Sequence, residues 1–227
     1  MCRHMIWHEI SPLVTSIGEV LPEVDGMALV AGFVGDNLDD LDEDERAMVS
    51  RAVPKRQREF STGRKLARLA MSYLDLPRDI IGRDSQRRPI WPEGMVGSIT
   101  HADDIAIAGV ARDTCVVGFG IDLEEADRVS ENLYNKLLTD NEIELSKQAD
   151  DRLPALIFSA KEAGYKATNP IVGKFIGFHE AEVDVDWARR QFAIRYIGQH
   201  KPNRIMERGH GYFTFFERYV FSLFIIR

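Results

Sequence analysis

With 227 residues, 44% of them hydrophobic and 29% charged, the chain has the makeup of a soluble globular protein and enough length for one large domain or two small ones. Its net charge of -7 excludes a general nucleic-acid binder, which needs a basic field, so any anion site has to be a local concentration of arginine and lysine. Cys2 and Cys115, in no metal-ligand spacing, argue against a disulfide scaffold and for a reducing compartment, and neither a secretory leader nor an apolar run long enough to span a bilayer stands out.

In chain order, 27–34 reads as a short strand and the acidic turn 36–44 leads into a helix whose carboxylates suit the positive end of its dipole. Pro54 opens a second helix, with Phe60, Leu66, Ala67, Ala70 and Met71 close to one face and Arg56, Arg58, Arg64, Lys65 and Arg68 on the others. A loop over 82–92 precedes three apolar runs, 96–100, 105–111 and 116–123, which read as adjacent strands joined by short turns. Thr139 with Glu142 makes a capping box for a further helix. Pro154 then opens a strong helix that Asn169-Pro170 is expected to end. Runs at 181–185, 192–197, 212–216 and 219–226 form a closing sheet.

The strand–helix–strand pattern runs twice, which predicts an α+β protein of two similar-sized halves, 1–117 and 118–227. Two clusters carry chemistry. At the end of a strand, Asp122 and Glu124 share one face while Ile121 and Leu123 point to the core. Paired carboxylates repel unless a cation or proton lies between them, and hard oxygen donors suit magnesium; a strand end with two solvated acids is the plain alternative. Glu162 and Lys166 sit one helical turn apart, as a surface ion pair or as a third carboxylate with a phosphate-facing lysine, and spacing alone leaves both readings standing. The basic cluster is Arg56 and Arg64, near one side of their helix, with Arg87-Arg88 in a loop and Thr100-His101 at a strand end. Each is weak alone; with the three acids they describe a site for a polyanionic ligand held partly through a metal.

Four blocks in order, KRQREFSTGR (55–64), RRPIWPEGMVGSITH (87–101), GIDLEE (120–125) and FSAKEAGYKA (158–167), resemble the motif set of the 4′-phosphopantetheinyl transferases, nearest the enterobactin- and surfactin-synthetase-activating type. The resemblance implies two α+β halves related by a pseudo-twofold, with the site in the cleft between them. It implies transfer of the phosphopantetheine arm of coenzyme A to a serine of an acyl or peptidyl carrier protein, with release of 3′,5′-ADP and dependence on Mg2+. It casts Asp122, Glu124 and Glu162 as metal ligands, and Thr100 and His101 as contacts to the nucleotide phosphates. Arg56, Arg64 and one of Arg87 and Arg88 would grip the 3′-phosphate, and Lys161 and Lys166 would face the pyrophosphate. Glu162, or a water held by the metal, would remove the serine proton, and Lys166 would stabilise the leaving group. A cytoplasmic monomer acting on siderophore, nonribosomal-peptide, polyketide or fatty-acid carriers is the corresponding expectation, without nucleic acid or membrane as partner. Gly164 departs from the family, which often has a larger apolar residue there. A magnesium phosphohydrolase acting on a nucleotide, and a non-catalytic coenzyme A or carrier-binding protein, are the alternatives.

Overall fold

Ile105 to Ala111 is a run of seven buried residues, and it forms the central strand of a three-stranded antiparallel sheet. The structure, a computed structural model, describes residues 21–199 and 205–227; Cys2 and the N-terminal segment read for a leader lie outside them. The described chain is α+β and divides into two compact units, Pro22–Val117 and Gly118–Arg227.

In the first unit β1 (Met27–Phe33), β4 (Met95–Ala102) and β5 (Ile105–Arg112) lie in the order β1-β5-β4. Helix α1 (Glu43–Val49) is followed by the 20-residue α2 (Pro54–Tyr73), with Pro54 in its first turn as the sequence predicts. Leu66, Ala67, Ala70 and Met71 of α2 pack against Ala28, Val30, Ala106, Ala108 and Val110 of the sheet. This is the apolar face read from the helical periodicity except for Phe60, which packs with Leu41 and Val49 instead, and its burial is the main favourable contribution holding helix to sheet. The predicted loop at 82–92 carries a small hairpin, β2 (Gly82–Arg83) paired with β3 (Pro89–Ile90).

The second unit is a five-stranded antiparallel sheet, β6-β10-β9-β8-β7, formed by β6 (Gly118–Glu125), β7 (Ala181–Asp186), β8 (Gln191–Tyr196), β9 (His210–Phe216) and β10 (Tyr219–Ile226). Short helices α3 (Glu131–Leu137) and α4 (Asp140–Ser146) precede the 20-residue α5 (Leu153–Val172), which packs on β6 and β10. The capping box at Thr139 and Glu142 is present in both directions.

Two expectations need correction. The run at 116–123 is not the neighbour of β5: it becomes β6 and pairs with β10, Asp122 standing opposite Ser222 and Glu124 opposite Val220. Local pattern identifies a strand but not its partner, because pairing is a long-range choice. Helix α5 also does not stop at Asn169-Pro170 but continues to Val172. Pro170 lies in the last turn, where its missing N–H removes one bond and leaves the rest of the ladder intact. Gly173, left-handed at φ 67°, then closes the helix with its N–H on the Asn169 carbonyl.

Candidate functional site

Helix α2 crosses β4 of the first unit with Arg56 near His101 at the strand's end. Arg56 Nη1 and His101 Nε2 are 2.8 Å apart. A guanidinium only donates, so Nε2 is the acceptor in this contact. Glu59, one turn after Arg56, lies 3.3 Å from the same guanidinium and 3.5 Å from His101 Nε2.

These groups line a cavity of about 490 Å³, together with Arg51, Arg64, Arg83, Arg87 and an apolar floor that includes Phe60 and Ile99. Five guanidiniums around one hollow in an acidic protein form the concentrated positive field an anion site needs.

Arg64 is the buried member, 5% exposed. Its guanidinium lies 4.6 Å over the Phe60 ring, Nη2 donates to the Gly82 carbonyl at 3.3 Å, and Nε has no hydrogen-bond partner. Burial pulls its pKa down to about 10, against the opposing pull of Glu45. It therefore stays charged at neutral pH.

The basic residues named from sequence separate in the structure. Arg56, Arg64, Arg87 and His101 line the cavity. Arg88 is instead bound to Asp84, Nε to Oδ2 at 2.6 Å and backbone N–H to Oδ1 at 2.8 Å, so Arg87 is the one of the pair that faces the hollow. Thr100 is buried and projects from the opposite face of β4 to His101, because successive strand residues alternate. It does not line this cavity, which corrects its pairing with His101. Arg51 and Arg83 were not singled out from sequence. Arg83 could have been found from the hairpin, which sets it opposite Pro89 and so brings it near Arg87; Arg51 offers no local signal.

In the second unit, β6 and α5 carry the acidic cluster. Asp122 is 3% exposed, and Lys166 Nζ donates to its Oδ1 at 2.6 Å and to the Ile121 carbonyl at 3.2 Å. Of the two readings that the spacing leaves open for Glu162 and Lys166, the ion pair within the helix gives way to this bond across to the strand. Burial opposes the charge on Lys166, but Asp122, and then Glu162 and Glu124, more than compensate and hold its pKa above the ordinary lysine value.

The other two carboxyls move the other way. Burial and then the charge of Asp122 raise Glu124 to about 7, with Arg128 at 3.8 Å offering partial relief. Glu162 is raised by burial first, with Asp122 adding to the rise and Lys166 opposing it. Among the described residues no three His, Cys, Asp or Glu side chains stand as a ready metal cage. Magnesium, however, commonly takes one or two carboxylates and fills its shell with water and phosphate oxygens. Acids that raise one another's proton affinity are a donor set a divalent cation would relieve, so this cluster fits such an ion.

Lys161 is a correction. Its ammonium is buried and gives all three protons within the protein: to Glu142 Oε2 at 2.6 Å, the Phe178 carbonyl at 2.8 Å and the Leu137 carbonyl at 3.1 Å. Burial lowers its pKa and Glu142 restores part of the loss. It has no donor left for a pyrophosphate. Lys166 uses two donors and keeps one. Gly164, the departure in this helix, makes room for Ile194, whose Cδ1 would lie 2.2 Å from an added Cβ.

The 4′-phosphopantetheinyl transferase N-terminal domain matches residues 44–111, and the 4′-phosphopantetheinyl transferase superfamily domain matches residues 118–223. The chain is 38% identical over 141 residues to 4′-phosphopantetheinyl transferase Npt of Nocardia iowensis, covering 61% of this chain and 64% of that protein. It is 36% identical to 4′-phosphopantetheinyl transferase Svp of Streptomyces mobaraensis, covering 68% and 65%. To enterobactin synthase component D of Escherichia coli it is 33% identical over 170 residues, covering 70% and 73%. The chain thus spans just under two thirds of the length of the first two.

Proposed function

We propose that this chain, which belongs to the 4′-phosphopantetheinyl transferase superfamily, moves the phosphopantetheine arm of coenzyme A onto a serine hydroxyl of an acyl or peptidyl carrier protein. The observation that carries this reading is the β6–α5 cluster: Lys166 bonded to Asp122 beside Glu124 and Glu162, two acids with raised proton affinity.

In this reading the serine oxygen forms a bond to the β-phosphorus of coenzyme A. The phosphoanhydride bond to 3′,5′-ADP breaks, and the serine proton passes to Glu162. A carboxylate whose affinity for protons is raised by burial suits that step better than an exposed one. The remaining donor of Lys166 meets the negative charge that grows on the departing phosphate. Asp122, Glu124 and Glu162 would hold magnesium, which when bound neutralises the pyrophosphate and steadies the leaving group. Chemistry of this kind needs alignment and charge neutralisation more than a covalent partner from the protein. In the first unit, Arg56, Arg64 and Arg87 bind the 3′-phosphate and His101 contacts the nucleotide phosphates.

The similarity to enterobactin synthase component D supports carriers of siderophore and nonribosomal-peptide synthesis as substrates. We place the enzyme in the cytoplasm as a monomer. Among the described residues no helix is long and apolar enough to cross a membrane.

The test is product release. Chromatography of a mixture of chain, coenzyme A and magnesium is expected to show 3′,5′-ADP only when an unmodified carrier is added. Nucleotide release without the carrier would favour a phosphohydrolase instead.

A further inference from the structure

Glu45 is wholly buried at the heart of the first unit, yet the site described above makes no use of it. It stands on α1, and its carboxylate reaches two other pieces of chain, α2 and the segment at Ile81. Oε2 accepts from Arg68 Nη1 at 2.6 Å; Oε1 accepts from the Ile81 backbone N–H at 3.2 Å and lies 3.8 Å from Arg64 Nε. Its contacts end one residue before the hairpin strand Gly82–Arg83, and Gly82 supplies the carbonyl that receives Arg64 Nη2. One carboxylate thus ties α1 to α2 and to the strand that carries Arg83 into the cavity.

We propose that Glu45 is a positioning residue for the anion cavity, fixing the guanidinium of Arg64 and the Arg83 hairpin where they meet the 3′-phosphate of the nucleotide. The proposal rests on reading that cavity as the 3′-phosphate subsite. Glu45 does not itself line the hollow. Arg68 takes the tight bond to Oε2, while Arg64 remains at the longer distance. Arg64 is therefore attracted and held through its buried Nε, which faces Glu45 at 3.8 Å, while the side chain still lines the cavity. A buried guanidinium with no carboxylate near it would be costly to keep in place, and one tightly paired with a carboxylate would offer a phosphate fewer donors and less uncompensated charge. Glu45 sits between these two failures.

Calorimetric titration of the full chain with adenosine 3′,5′-bisphosphate and with adenosine 5′-monophosphate tests this. Glu45→Gln is expected to weaken bisphosphate binding by about tenfold or more while monophosphate binding changes by less than about twofold. Arg68→Gln removes the other partner of Glu45 but not its charge. It is expected to lower the melting temperature and leave the preference for the bisphosphate intact. A purely structural role for Glu45 would weaken both ligands alike, and that result overturns the proposal. Should Glu45→Gln not fold, Glu45→Asp, which keeps the charge but shortens the reach, is titrated with the same expectations. A wild-type chain indifferent to the 3′-phosphate would overturn the reading of the cavity. A discriminating wild type with an equally discriminating Glu45 variant would overturn the positioning role alone.

Discussion

Gly120 on β6 lies so close to Ala163 on α5 that a Cβ at position 120 would stand 2.0 Å from the Ala163 carbonyl oxygen and 2.7 Å from the Ala167 nitrogen. This approach brings the helix against the strand two residues before Asp122 and lets Lys166 reach that carboxylate at 2.6 Å.

Gly120→Ala is therefore expected to force helix and strand apart, because the obstructing atoms are backbone and cannot rotate away. Overpacking of this kind costs about 1–3 kcal/mol, and the rigid neighbours place this case at the upper end. The melting temperature should fall, and transfer activity should fall with it. An unchanged melting temperature would contradict the packing described.

Lys161→Met is expected to destabilise the fold by about 3–5 kcal/mol by stranding the buried Glu142 charge. Adding Glu142→Gln, which removes that charge and keeps one acceptor oxygen for one of the two backbone N–H groups, of Thr139 and Val183, that the carboxylate now serves, should recover part of the loss. Denaturant unfolding of the three variants measures this. Affinity for coenzyme A should be unaltered in the folded double variant, whereas a lysine facing pyrophosphate would lose it.

Arg87→Ala and Arg88→Ala, adjacent in sequence, should behave differently. The first removes a cation from the cavity and is expected to weaken adenosine 3′,5′-bisphosphate by about tenfold. The second breaks a partly exposed bond to Asp84 and should change affinity by less than about twofold. Equal losses would mean that the hairpin turns both side chains toward the ligand.

The pH response of magnesium binding follows from Glu124. Its folded-state pKa of about 7 lies above the ordinary 4.5, so protonation favours the fold. The contribution is complete below the ordinary value and is lost as pH rises through about 7. Magnesium requires the ionised carboxylate, so its stabilising effect should be larger at about pH 8 than at about pH 5.5. Melting curves with and without the ion at both values decide this, and an equal shift at the two would remove Glu124 from the ion's surroundings.

What could be read from sequence was local. The Thr139–Glu142 box, Pro54 at the head of α2 and the apolar face of Leu66, Ala67, Ala70 and Met71 depend on neighbours a few residues apart, and all are found in the structure. The partner of β6 depends on residues far along the chain, so the local pattern places it beside β5 while the structure pairs it with β10. The two lysines of α5 look equivalent in sequence. What separates them is that Lys161 meets a buried acid on α4 and two carbonyls, while Lys166 meets β6. Thr100 and His101 look like a unit in sequence and are split by the alternation of the strand, a parity that could have been applied in advance.

The most direct measurement is the intact mass of an unmodified carrier protein after incubation with coenzyme A, magnesium and either the wild-type chain or Glu162→Gln. The wild type is expected to add one phosphopantetheine arm to a single serine. The variant, folded by its melting curve, should do so at least about a hundredfold more slowly, the lower range for loss of a general base. A carrier left unmodified by the wild type, or modified equally fast by the variant, would contradict the proposed transfer or the proposed role of Glu162.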